Sequence, residues 1–345
     1  MTTSRKKNVA LVGLSAKGSW ASQAHLPYFK ESSLFKIHAL QNSSKSSALE
    51  AAQTYSLDGV VPYGDPSETA SDPEIDIVAI SVKVPMHKSL LLPAIDAGKD
   101  VFCEWPLARN LQEAREIVQL AKSKGVKTAI GLQARQDPAI LKAKEIVRSG
   151  QIGEVMGTNM FGHGGIFTPS IPSIKEDVAY LSDIDNGANL LTIPFGHAVV
   201  DDDGKPTRIS HKTAHDYITV NARLIDSGGV ADITYAPGNS LTGKGFYWEI
   251  TGTEGSLVLE GPMGHVQIAP PTLKMATTAE PELKLVPLAR ASDATYAIGK
   301  AWDAFAGVGL DEGHTVTTFE DALVRHEMID AIYRSAESGR RENYV

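Results

Sequence analysis

Three stretches and a scatter of single side chains hold the residue types that could do chemistry in this chain. Gly13-Leu-Ser15-Ala-Lys17-Gly18 follows the apolar run Asn8-Val-Ala-Leu-Val12 and precedes a helical pattern. A glycine turn between strand and helix lets backbone amides and a helix N-terminus meet a pyrophosphate. Ser15 stands where the usual pattern has its middle glycine, so on these residues alone a turn that binds nothing is an equal reading. Gln41, Asn42, Ser43, Ser44 and Lys45 follow a second apolar run, where a dinucleotide fold would read the adenosine ribose. No carboxylate stands there to oppose a 2′-phosphate, and small hydroxyls with Lys45 can hold one. NADP is therefore the expected cofactor and NAD the alternative; a polar loop without a ligand competes closely. Glu104-Trp105-Pro106 ends the apolar stretch Val101-Phe-Cys103 at the carboxyl end of a strand, where open α/β sheets place ligands. The indole of Trp105 exchanges no proton, but its face can stack on a sugar or an aromatic ring. Arg135, His163, Tyr180 and His197 complete the candidate set, with His197 or Tyr180 as the proton donor or acceptor. Each of these singly is more often packing or orientation than catalysis, and His197 reads equally well as a helix cap.

Holding these groups in place calls for alternating strands and helices over the first 150 residues. Strands are expected at 8–12, 35–40, 59–61, 75–81 and 126–132, and helices at 20–29, 48–55, 88–97, 111–124 and 138–149. Asn110 caps the helix at 111, with Glu113 as capping-box partner and Gly125 as the stop; Asp137-Pro138 opens the next helix. This order predicts a right-handed, doubly wound parallel sheet. From Gly153 onward the pattern turns to strands joined by tight turns, 215–226 with 230–236 and 246–251 with 256–260, an antiparallel arrangement. Helices at 292–306 and 318–338 end the chain, and Ile329, Ile332 and Tyr333 share a face of the last.

Several motifs in register resemble one family across nearly the whole chain. Phe102-Cys-Glu-Trp-Pro-Leu-Ala108 is similar to the Glu-Lys-Pro signature of the glucose–fructose oxidoreductase, inositol dehydrogenase and rhizopine-catabolism (Gfo/Idh/MocA) family. Gly131-Leu-Gln-Ala-Arg135, Gly150-Gln-Ile-Gly-Glu154, Gly162-His-Gly-Gly165, Phe195-Gly-His197 and Thr251-Gly-Thr-Glu-Gly255 extend the likeness, which is nearest to the branch of fungal galactose-pathway repressors. The resemblance implies an N-terminal Rossmann domain over 1–132 and an α+β substrate and dimerisation domain over 133–345, with an open, mostly antiparallel sheet. The last helix is expected to pack back on the first domain. It also implies a homodimer through that sheet, and a turn at Val84, Pro85 and His87 over the nicotinamide ribose; unaided, His87 reads as a helix-entry histidine. Glu104 and Arg135 join the cofactor-side set.

Departures from the family pattern bear on the chemistry. Trp105 replaces the family's catalytic lysine, and Thr192 stands where an aspartate is usual, leaving His197 of the Lys-Asp-His set. The chain near 198–206 is shorter than in relatives. The leading expectation is an NAD(P)-binding oxidoreductase acting on a sugar-like or other small carbonyl, imine or enone compound. One alternative is a catalytically inactive, cofactor-sensing regulator with a protein partner; another is a non-redox enzyme that keeps the cofactor fold.

Composition narrows the rest. The 345 residues carry 33 basic and 41 acidic side chains, a formal charge of −8 that gives no electrostatic reason for direct nucleic-acid binding. Cys103 is the single cysteine, which rules out an internal disulfide and a cysteine metal cluster and reads as a buried apolar residue. Asp201-Asp-Asp203 reads as a solvated turn rather than a metal site, and no metal is expected. With no run near the ~20 apolar residues of a membrane span, a cytoplasmic or nuclear location is expected.

Overall fold

The computed structural model describes residues 5–164, 173–175, 183, 197–201, 203, 205–210, 213, 217–236, 238–240, 242–289 and 292–344. The chain divides into two compact units, Met1–Gln133 with Ala294–Val345, and Ala134–Asp293.

Apolar runs without alternation become strands covered on both faces, as in β4 (Ile77–Ile80), which is buried at every residue. With β1 (Lys7–Val12), β2 (Phe35–Gln41), β3 (Val61–Tyr63), β5 (Asp100–Glu104) and β6 (Thr128–Gly131) it forms a parallel sheet of order β3-β2-β1-β4-β5-β6. The helix expected at 20–29 begins as a π-helical turn, Ala21–His25, and continues as α1 (Leu26–Glu31). Pro27 has no N–H to give the Gln23 carbonyl, and that carbonyl accepts from Thr295 Oγ1 instead, at 3.4 Å.

Helix α2 (Lys45–Thr54) starts three residues before the expected position because Ser44 and Ser47 close a reciprocal capping box. Next come α3 (Pro66–Ser71), α4 (His87–Asp96) and α5 (Leu111–Lys124). Asn110 Oδ1 caps α5 by accepting from Glu113 N at 2.9 Å, and Gly125 ends it at φ +66°. The Glu113 side chain does not close the expected capping box. It turns to the backbone and guanidinium of Arg109, whose charge is the stronger partner and which holds the Glu113 carboxyl below its usual range.

In the second unit α6 (Pro138–Arg148) is capped by Asp137 and packs Ala139, Ala143 and Ile146 into one core with Phe246, Ile250, Leu257 and Leu259. Those last four lie on a sheet built from β7 (Val155–His163), β11 (Ile218–Arg223), β12 (Val230–Ala236), β13 (Phe246–Gly252), β14 (Gly255–Gly261), β15 (Thr272–Thr277) and β16 (Lys284–Leu285). Its order is β11-β12-β7-β13-β14-β15-β16; every pair is antiparallel except β12 with β7. A separate small sheet joins β8 (Ser173–Lys175), β9 (His197–Val200) and β10 (Pro206–Ser210).

The chain then returns to the first unit with two helices, where the resemblance led to an expectation for the last alone. α7 (Ala294–Phe305) lays Ile298, Ala301, Trp302 and Phe305 into the core on one face of the parallel sheet. α8 (Phe319–Ser338) puts Phe319 and Ala322 into the core on the other. Two hydrogen bonds pin the return, with Ile130 N donating to Thr317 O at 2.8 Å and Phe319 N to the Thr128 side-chain Oγ1 at 3.1 Å. Among the described residues no helix is long and apolar enough to cross a membrane.

Candidate functional site

Strand order reverses between β1 and β4, and the turn after β1 opens at this switch point. Gly13 sits there at φ +94°, and a Cβ on it would lie 2.3 Å from Ser81 O, just beyond the end of β4. Gly18, at φ +93°, has nothing within 4 Å of a Cβ, so this end of the turn is open. Ser15 serves the turn itself: its Oγ accepts from Lys17 N at 3.1 Å, and its carbonyl accepts from Gly18 N and from Tyr55 Oη. No side chain caps the helix that follows; Ser22 N and Gln23 N donate to Ser19 O at 3.1 and 3.2 Å, so the amides of Trp20 and Ala21 are the ones that keep their capacity for an anion.

At the end of β2, the five polar residues divide by role. Asn42 Nδ2 is committed to the carbonyls of Leu14 and Ser47, at 2.9 and 3.1 Å, and Ser44 caps α2. Gln41 is buried, whereas the side chains of Ser43 and Lys45 are exposed. Those two are the free polar groups at the ribose end.

The carboxyl end of β5 holds an arrangement that no local spacing announces. Trp302 Nε1 donates to His25 Nδ1 at 3.1 Å, and His25 Nε2 donates to Glu104 Oε1 at 2.7 Å. The three residues are 277 and 79 positions apart in sequence, so only the tertiary fold joins them. The resemblance suggested His87 on the cofactor side, but its ring is fully buried, with Nδ1 2.9 Å from Pro106 O and Nε2 3.0 Å from Val82 O. It therefore clasps two loops together and presents no ring atom to a ligand; burial lowers its pKa. Val84 is buried and Pro85 half-buried in the adjoining 3-10 turn. Cys103 lies 3.3 Å from His87 Nδ1, fully buried, and burial raises its thiol pKa well above the usual value.

Trp105, joined to Pro106 by a cis peptide, packs on the core under the sheet and against the ring of His326 on α8, centroids 5.0 Å apart. His326 was not legible as a site residue: it is 6% exposed, its Nε2 has no hydrogen-bond partner, and burial lowers its pKa to about 4. A histidine pushed below its unfolded value of 6.5 contributes stability that is present above about pH 6.5 and is lost as pH falls through about 4. The full loss should be on the order of 3 kcal/mol, of which about 2 falls between pH 7 and pH 5. Urea titrations at about pH 7 and about pH 5 should show a smaller acid loss for His326→Phe than for the parent. His265, lowered to about 4 by burial in the second unit, still titrates in both proteins. Equal losses in parent and variant would remove His326 from the account.

In the second unit Arg135 lies in a 3-10 turn before α6 and lines a cavity of about 230 Å³ with Ile140, Met160, Tyr235, Phe246 and Trp248. His163 ends β7, its ring edge-on to Phe161 at 4.9 Å. Tyr180 and Thr192 lie outside the described residues. Of His197 only the backbone is described, and it belongs to strand β9 rather than to the expected helix, pairing with Ser210.

The family model for "Oxidoreductase family, NAD-binding Rossmann fold" matches residues 7–132, and that for "Gal80p, C-terminal domain" matches 138–200 and 197–261. Dehydrogenase aclE of Aspergillus oryzae is 31% identical over 376 aligned residues, covering 99% of each chain. The galactose/lactose metabolism regulatory protein GAL80 of Saccharomyces cerevisiae is 26% identical, over 97% of this chain and 94% of its own. A solved super-repressor mutant of Gal80p from the same yeast aligns with TM-score 0.87 at 24% identity, over 97% of both chains. Levoglucosan dehydrogenase in complex with NADH and levoglucosan aligns with TM-score 0.74 at 19% identity, over 97% of this chain and 98% of its own. At such identities the two structures speak for the fold.

Proposed function

Because the chain belongs to the Gfo/Idh/MocA oxidoreductase family, with its NAD-binding Rossmann domain, we propose that it is an NADP-dependent oxidoreductase of a sugar-like or other small carbonyl, imine or enone compound. The observation that carries this is the glycine turn at the switch point, followed by an uncapped helix start and by a second strand with no acid at its end. The residues fit the cofactor. The glycine turn from Gly13 to Gly18 would hold the diphosphate, through amides such as that of Ala16 that are not spent on bonds within the turn, Ser43 and Lys45 the 2′-phosphate, and Val84 and Pro85 the nicotinamide-side ribose. Bound there, the dinucleotide supplies or accepts a hydride. Arg135, His163, Tyr180 and His197 remain the candidates for substrate, with the proton assigned to His197 or Tyr180.

A second reading has its own observation. The Trp105 indole is spent on the core and on His326, so the position of the family lysine contributes no proton. A cofactor-sensing regulator needs none, and the likeness to GAL80 supports that reading. A homodimer through the seven-stranded sheet belongs to both; the exposed Met156, Ile225 and Val230 at one end of that sheet support it.

Fluorescence titration with NADPH and NADH, followed by nicotinamide absorbance against sugars, ketones, imines and enones, tests the proposal. NADPH should bind more tightly, and Lys45→Glu should cost it at least about tenfold by setting a carboxylate against the phosphate. Substrate-dependent oxidation supports the enzyme, tight binding without turnover supports the regulator, and a preference for NADH overturns the NADP assignment.

A further inference from the structure

The bonds around Glu104 specify a charge as well as a position. An indole N–H can only donate, so Trp302 makes His25 Nδ1 an acceptor. The proton of the ring is then on Nε2, pointed at Glu104 Oε1. In this tautomer His25 accepts at Nδ1 and donates at Nε2. It orients the Glu104 carboxylate without neutralising it. Among the described residues this histidine is the hydrogen-bond partner of the Glu104 carboxylate, and no lysine or arginine forms an ion pair with it. Burial makes the arrangement rigid: the His25 side chain is 1% exposed and that of Glu104 13%.

The other carboxylate oxygen is also given its place. Glu104 pairs with Gly131 on β6, and a Cβ on Gly131 would lie 2.4 Å from Glu104 Oε2. Only a residue without a side chain leaves that oxygen its position above the strand end.

We infer that the Trp302–His25–Glu104 chain sets a fixed negative charge at the nicotinamide end of the groove, and that the protein thereby distinguishes the oxidised dinucleotide from the reduced one. The inference rests on the cofactor reading above. A dinucleotide laid across the β1–β4 switch point sends its adenosine half toward β2, where Ser43 and Lys45 are exposed, and its nicotinamide half toward β4 and β5. Glu104 is on that second side. The oxidised nicotinamide ring carries a positive charge and the reduced ring is neutral, so a carboxylate held nearby favours the oxidised form. At the effective dielectric of a partly buried site, unit charges several ångströms apart favour it by about tenfold or more. In a regulator this preference makes the oxidised cofactor the signal; in an enzyme it opposes release of the oxidised form.

Dissociation constants for NADP⁺ and NADPH, measured by calorimetry on the full chain and its Glu104→Gln variant, test the inference. The parent should bind NADP⁺ about tenfold more tightly than NADPH. Glu104→Gln keeps the shape and the bond from His25, so it should bring the ratio near one through weaker NADP⁺ binding, with NADPH little changed. His25→Gln, whose amide can accept from Trp302 and donate to Glu104, should keep the preference, and His25→Phe should lose it. Equal binding of both forms by the parent, or an equal loss of both in Glu104→Gln, overturns the inference. Binding of neither form by the parent, seen before any variant is made, overturns the cofactor reading and the inference with it.

Discussion

Trp302→Ala should remove on the order of 3–5 kcal/mol from the stability of the first unit, the largest loss expected from a single truncation among the described residues. Trp302 is fully buried, stacked on Phe102 at 4.4 Å and 14°, with Phe29, Phe35 and Phe305 edge-on at 4.9, 5.1 and 5.9 Å. Cutting it to a methyl group empties the centre of that cluster, and rings held by β2, β5 and α1 cannot collapse together to fill the space. It also leaves His25 Nδ1 without a donor, a further loss of about 1 kcal/mol. Domains keep a net stability of about 5–15 kcal/mol, so the variant should unfold at a much lower urea concentration. Trp302→Phe keeps most of the packing and drops the bond, and should cost about half as much or less. A loss under about 1 kcal/mol for Trp302→Ala would mean that α7 does not hold the first unit together.

The parallel sheet was legible because its strands are apolar runs and its helices carry their own start and stop signals. Asn110, Gly125 and Asp137 act where the sequence put them. Glu113 shows the limit of such local rules, since a charged neighbour four residues before it wins its carboxylate from the expected box. The glycine turn was legible for the same local reason, as Gly13 and Gly18 both adopt the positive φ that their residue type allows. Which hydroxyls stay free after β2 was not, because the bonds of Asn42 and Ser44 depend on how α2 packs back on the turn. The histidines were least legible. His87 matched a motif and is a buried clasp, whereas His25 and His326 matched none and sit beside Glu104 and Trp105. A histidine's role is set by what the fold brings to its two nitrogens, and partners 79 or 277 residues away leave no periodic trace.

Gly13→Ala and Gly18→Ala form a matched pair that separates backbone strain from close approach. Both glycines hold nearly the same φ, +94° and +93°, so an L side chain pays the left-handed penalty of about 1–2 kcal/mol at either site. Their surroundings differ. At Gly18 the added carbon meets open space, and the cost should end with the strain. At Gly13 it would stand 2.3 Å from Ser81 O and 2.5 Å from Val82 Cγ1. The first of these is backbone in the segment that follows β4, so relief requires the ends of β1 and β4 to part. That separation opens the switch point and should carry the total for Gly13→Ala to on the order of 3–4 kcal/mol, with at least about tenfold weaker dinucleotide binding in whatever fraction stays folded. Urea denaturation gives the stability difference, and NADPH titration well below the unfolding range gives the affinity. Equal stability losses in the two variants would show that φ alone demands glycine at 13, and that the approach of Ser81 to the turn places no constraint on the cofactor groove.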